Sequence, residues 1–120
     1  MSVNAHHDAA CHPHLTLYLA DRFFTRLFGV HRFGSLAANQ GVCLAPCQAV
    51  HTFGMRQRID VVFLSRRRHV LRCYVQLPPY RLAYCKGAYY AVELSGGYLH
   101  RHADYLVRIN QALDTALSPQ

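Results

Sequence analysis

Ile59-Asp60-Val61-Val62-Phe63-Leu64, then Ser65-Arg66-Arg67-Arg68-His69, then Val70 to Gln76 is the stretch whose reading decides the fold. Apart from Asp60, the first segment is apolar at both alternating sets of positions, the pattern of a strand buried on both faces. Five polar residues break it, and an extended run follows. The pair reads as a hairpin. Downstream, Leu77-Pro78-Pro79-Tyr80 cannot be a central strand, because two prolines remove ladder donors. Tyr89 to Leu94 is a further strand, closed by Ser95-Gly96-Gly97. Upstream, Val50 to Met55 reads as extended, and Val42 to Leu44 as a short strand stopped at Pro46. Leu15, Leu17 and Leu19 alternate with Thr16, Tyr18 and Ala20, which is the period of a strand.

Short strands separated by turn signals predict a mainly β domain, either a small β-sandwich or a partly open barrel, with one or two short helices. Asp21 is placed to cap a helix from Arg22 to Phe28. Its apolar face is Phe23, Phe24, Leu27 and Phe28, and Gly29 ends it. Residues 30–41 read as a loop, from Gly34, Ser35, Asn39 and Gly41. The C-terminus supports two readings. Leu99, Ala103, Leu106, Leu113 and Leu117 fit one face of a helix, whereas Tyr105 to Ile109 reads equally as a last strand, with Asn110 capping a short helix to Leu117. The expected organisation is a disordered tail over 1–14, one domain over 15–110, and a partly helical tail over 111–120.

The 120 residues are 52% hydrophobic and 16% charged, which excludes a disordered chain. The longest apolar runs are only a few residues, too short for a membrane-spanning helix. The N-terminal MSVNAHHDAACHPHL has neither a basic start nor an apolar stretch, so no signal peptide is expected. Five cysteines without an export signal predict reduced thiols in a cytoplasmic protein. The formal charge is +7, carried by arginine with Lys86 as the lone lysine, and arginine suits carboxylate and phosphate partners. His6, His7, Cys11, His12 and His14 lie in the tail, where metal pickup would be adventitious.

The run Pro46-Cys47-Gln48-Ala49-Val50-His51-Thr52-Phe53-Gly54-Met55-Arg56, leading into Ile59-Asp60, resembles the signature of a widespread prokaryotic family called domain of unknown function 192, or uncharacterised protein family 0127. Arg26-Leu27-Phe28-Gly29, Gly41-Val42-Cys43-Leu44, Leu77-Pro78-Pro79-Tyr80-Arg81 and Ala91-Val92-Glu93-Leu94-Ser95-Gly96-Gly97 match its other segments in order. The resemblance spans about residues 17–109. It implies a jelly-roll type of β-sandwich with short helices and no established activity, and it favours the last-strand reading of Tyr105–Ile109. Three positions depart from the family. Arg58 stands where proline is usual, Ser65-Arg66-Arg67-Arg68 replaces an Asp-x-x-Gly tip, and His102-Ala103-Asp104 shortens the closing Gly-Asp stretch.

Cys43-x3-Cys47-x3-His51 invites a metal or thiol-nucleophile reading. Four residues along a strand span ~13 Å, so such ligands do not converge without a turn, and no orienting acid lies nearby. No metal, cofactor or catalytic residue is expected. On a strand, His51, Phe53 and Met55 share one face. Asp60 and Glu93 sit in otherwise apolar strands and need a cation or several donors when buried. Arg56, Arg58 and Arg81 are the cations at hand, so an ion pair or a polar pocket wall is expected. The site hypothesis places His51, Asp60, Arg81 and Glu93 around one pocket mouth, with Met55 and Cys47 on its floor. The expected role is non-catalytic binding of a small or peptide-like ligand or a protein partner. One alternative is weak anion or nucleic-acid binding through Arg66, Arg67 and Arg68. The other is a hydrolase or thiol enzyme using Cys47 and His51.

Overall fold

The computed structural model describes residues 14–20 and 36–119. The expected helix Arg22–Phe28 and nearly all of the N-terminal tail lie outside the described residues. Among those described, seven strands form two sheets, with two helices and no closed barrel, so the architecture is mainly β. The main sheet has the order β1 (Thr16–Ala20), β2 (Gln40–Leu44), β7 (Tyr90–Ser95), β4 (Ile59–Leu64), β5 (Val70–Leu77). β1 and β2 run parallel and the other neighbours antiparallel. The small sheet pairs β3 (Ala49–His51) with β6 (Leu82–Tyr84).

The two-faced apolar pattern of β4 now has its cause: every residue from Ile59 to Leu64 is buried, because the main sheet is covered on both sides. Val42, Val61, Phe63 and Ala91 pack under the small sheet with Val50, Met55 and Ala83. Cys43, Val62, Val92 and Leu94 pack with Tyr98, Ile109, Ala112 and Leu113 on the opposite side. Those last four residues come from helices α1 (Tyr98–Arg101) and α2 (Tyr105–Leu117).

Three expectations are corrected. Tyr105–Ile109 is not a last strand. It is the first part of α2, and Asn110 lies inside that helix rather than capping one. The second face of the sheet needs an apolar cover, and Ile109, Ala112 and Leu113 supply it at helical spacing. The extended run from Val50 stops at His51, because buried Thr52 donates its hydroxyl to Pro78 O and Gly54 turns the chain at φ 88°. His51 and Met55 therefore do not share a face: His51 is exposed and Met55 buried. β6 was not expected from the sequence.

Candidate functional site

The hypothetical pocket mouth does not assemble. Glu93 pairs in register with Val61, so its side chain lies on the small-sheet face. Asp60 pairs with Leu94 and faces the helices. The two acids are thus separated by the sheet itself. Cys47 and Met55 share the core layer that Glu93 enters, while His51 and Arg81 are exposed on the outside.

Among the described residues neither acid is ion-paired, which corrects the expectation of Arg56, Arg58 or Arg81 as a partner. Asp60 is wholly buried and accepts three backbone N–H bonds instead: Oδ1 from Gln76 at 2.9 Å and Gly97 at 3.0 Å, Oδ2 from Leu99 at 2.9 Å. It therefore joins the start of β4, the end of β5 and the turn into α1 at one corner. Glu93 is buried with no hydrogen-bond partner for Oε1 among the described residues, and burial pushes its carboxyl up to about 8.

The corner that Asp60 holds is the wall of an open cleft of about 460 Å³. Arg58, Gln76, Ser95, Gly96 and Arg101 line it, with Leu36 and Ala38 as an apolar side. Gln76 sits at a register shift in β5 with a left-handed φ of 56°, strain that such sites often carry. Gly96 has no room for a side chain, since a Cβ there would stand 2.6 Å from Arg58 O and 2.7 Å from Gln76 Oε1. Arg58 donates to Gln76 O at 3.1 Å. Arg101 donates to Gly96 O at 3.0 Å and to Ser95 Oγ at 2.8 Å. Among the described residues, both guanidiniums thus hold neutral acceptors only. The described ion pairs, Arg68–Asp114 and Arg108–Asp104, are elsewhere. Sequence reasoning missed this cleft. The signal that could have pointed to it is Arg58, which the resemblance marks as a departure from its pattern.

The arginine tip is partly committed. Arg68 bonds Asp114 at 2.7 Å, and Arg66 lies 4.9 Å over the Tyr89 ring. Cys47 is buried and donates to Ala49 O at 3.0 Å, whereas His51 points outward and accepts from Phe53 N–H at 3.2 Å. Cys43 lies on the opposite face of the main sheet, its thiol pushed up to about 12 chiefly by burial. These three residues do not converge. Among the described residues no group of three or more His, Cys, Asp or Glu is placed to hold a metal. Thiolates, not thiols, react. Alkylation of the native protein with iodoacetamide should therefore modify exposed Cys73 well before Cys43 or Cys47, as read by peptide mass spectrometry. Equal rates at Cys43 and Cys73 would contradict the burial described.

The fold and cleft define a small layered β domain with a cation-lined surface site. The chain belongs to the DUF192 family, described as "Uncharacterized ACR", whose model matches residues 4–104. It is similar in fold to a protein of unknown function from Novosphingobium aromaticivorans, with a TM-score of 0.63, 18% identity, and coverage of 72% of this chain and 67% of that one. A Sinorhizobium meliloti protein described as a "putative transcription regulator" is similar at TM-score 0.63 and 17% identity, covering 72% and 73%. A comparison with curated proteins finds no match. Among the described residues, no helix is long and apolar enough to cross a membrane.

Proposed function

We propose that this protein binds, without transforming it, a small anionic ligand at the Arg58–Arg101 cleft. The observation that carries the reading is the pair of guanidiniums on one cleft, each bonded to neutral acceptors and, among the described residues, neither to a carboxylate. Arginine recognises carboxylate and phosphate in a planar fork, and these two retain donors for it. Gln57 and Gln76 add amide groups, and Leu36 and Ala38 suit an apolar part of the ligand. A volume of about 460 Å³ lies in the range of small-molecule sites. The described lining offers guanidinium, amide and hydroxyl groups rather than a carboxylate, imidazole or thiol, which supports binding over chemistry.

Isothermal titration with citrate and with inorganic phosphate tests this. Saturable binding is expected to at least one of them, weakened about tenfold by Arg58→Gln or Arg101→Gln, since a hydrogen bond to a charged group contributes ~1.5–3 kcal/mol. Arg67→Gln, on the hairpin tip, should leave the affinity unchanged. If neither anion gives saturable heat, or if both cleft variants bind as the parent does, the reading is wrong.

A further inference from the structure

The outer face of the small sheet carries a cluster of exposed rings. Phe53 and Tyr80 lie side by side with centroids 6.0 Å apart, and His51 is 5.1 Å from Phe53. His51 is opposite Leu82 in register and Ala49 opposite Tyr84, so these side chains stand on the same outward face. Phe53, Tyr80, Leu82 and Tyr84 are 45%, 70%, 69% and 52% exposed. Single exposed apolar residues mean little, but a contiguous group marks an interaction site.

The cluster is held in place by built structure. Buried Thr52 donates its N–H to Arg81 O at 2.9 Å and its hydroxyl to Pro78 O at 2.7 Å, and its hydroxyl accepts from Arg81 N–H at 2.8 Å. That clamp ties the turn bearing Phe53 to the one bearing Tyr80. Tyr80 itself is held at φ 63°, a conformation that a bulky residue rarely adopts.

Charge identifies the partner. Arg81 donates to the backbone O of Tyr80 at 3.3 Å, and Arg72, which stacks 4.6 Å over Tyr74, donates to the backbone O of Tyr84 at 3.1 Å, so one guanidinium sits beside each end of the patch. Asp60 and Glu93 are buried, and the other described acids, Asp104 and Asp114, are ion-paired at α2. Among the described residues, the aromatic face therefore has cations and no exposed carboxylate. A second copy of the chain would set like charges against each other, which disfavours association. Rings with flanking cations are what a polyanion with open bases needs, because every base has a face to stack and every phosphate a charge to pair. Duplex bases are already stacked and offer no such face.

We propose that this surface binds single-stranded nucleic acid, with bases stacked on Phe53 and Tyr80 and phosphates held by Arg72 and Arg81. The site is separate from the anion cleft and does not depend on it.

The test is fluorescence anisotropy with end-labelled oligo(dT), oligo(U) and a duplex of equal length, at low and at physiological salt. The single strands should bind at low salt and weaken steeply as salt rises, by counterion release. Phe53→Ala/Tyr80→Ala should weaken them by tenfold or more, each stacked base contributing about that much. Phe53→Leu, which keeps an apolar side chain but removes the ring, should weaken them in the same direction. Arg67→Ala should have little effect. Thermal melts report whether the variants remain folded, as expected for exposed side chains. The proposal is overturned if neither single strand binds at low salt, if the duplex binds equally well, or if the ring variants bind like the parent. Self-association through this face, seen by sedimentation and lost in the ring variants without any oligonucleotide binding, overturns it in favour of a second copy. The two oligonucleotides then say whether RNA or DNA is preferred.

Discussion

Glu93→Gln should make the protein more thermostable in mildly alkaline solution while leaving it little changed near the ordinary carboxyl pKa. Burial raises the Glu93 carboxyl from 4.5 to about 8, so the folded chain holds a proton there that the unfolded chain releases. Between those two values the native state binds more protons than the unfolded state, and stability therefore falls as pH rises. The loss is complete above about 8, where the ion itself must sit in the core. Glutamine cannot ionise, and its stability should not fall through that window on account of position 93. A shift of this size corresponds to several kcal/mol, on the order of 10 °C in melting temperature for a domain of this length. Melting curves of both proteins from mildly acid to mildly alkaline pH measure it. Parallel profiles would mean that Glu93 does not change protonation on unfolding.

Asp60→Ala should be severely destabilising. It leaves the N–H groups of Gln76, Gly97 and Leu99 without their acceptor at a buried corner. Each orphaned group costs ~1–3 kcal/mol, against a total stability of ~5–15 kcal/mol for a typical domain. The variant should be largely unfolded or lose at least half of its urea midpoint. Asp60→Asn keeps one acceptor oxygen and should fall between the two. A midpoint for Asp60→Ala within experimental error of the parent would show that the three bonds contribute nothing.

Much of the architecture was legible because it rests on local signals. β4 announced its burial by having no polar face, and Pro78-Pro79 marked where the main sheet gives way. α2 was not legible for a physical reason. Tyr105-Leu106-Val107-Arg108-Ile109 satisfies both periods, and the choice is made by the exposed second face of a sheet that the segment must cover. β6 is three residues long and leaves little periodicity to read. Asp60 and Glu93 stood out as acids among apolar neighbours, but their environments did not follow from that. Backbone donors carry no residue letter, so the Asp60 corner could not be anticipated, and alternation along separate strands did not reveal that the two acids face apart. Strand alternation through Met55 puts Phe53 on the same face as buried Met55. Thr52 ends that strand and turns Phe53 outward.

The corner and the cleft divide the tolerance of the chain to change. Asp60 and Gly96 admit almost no replacement, one because three donors converge on it and the other because backbone and amide atoms fill the space of a side chain. Arg58 and Arg101 stand beside them at exposed positions, where substitutions usually shift stability by less than ~0.5 kcal/mol. If the cleft binds an anion as proposed, a lineage can exchange its cations without disturbing the frame that presents them. Divergence of ligand preference over an unchanged fold is the evolutionary behaviour this arrangement permits.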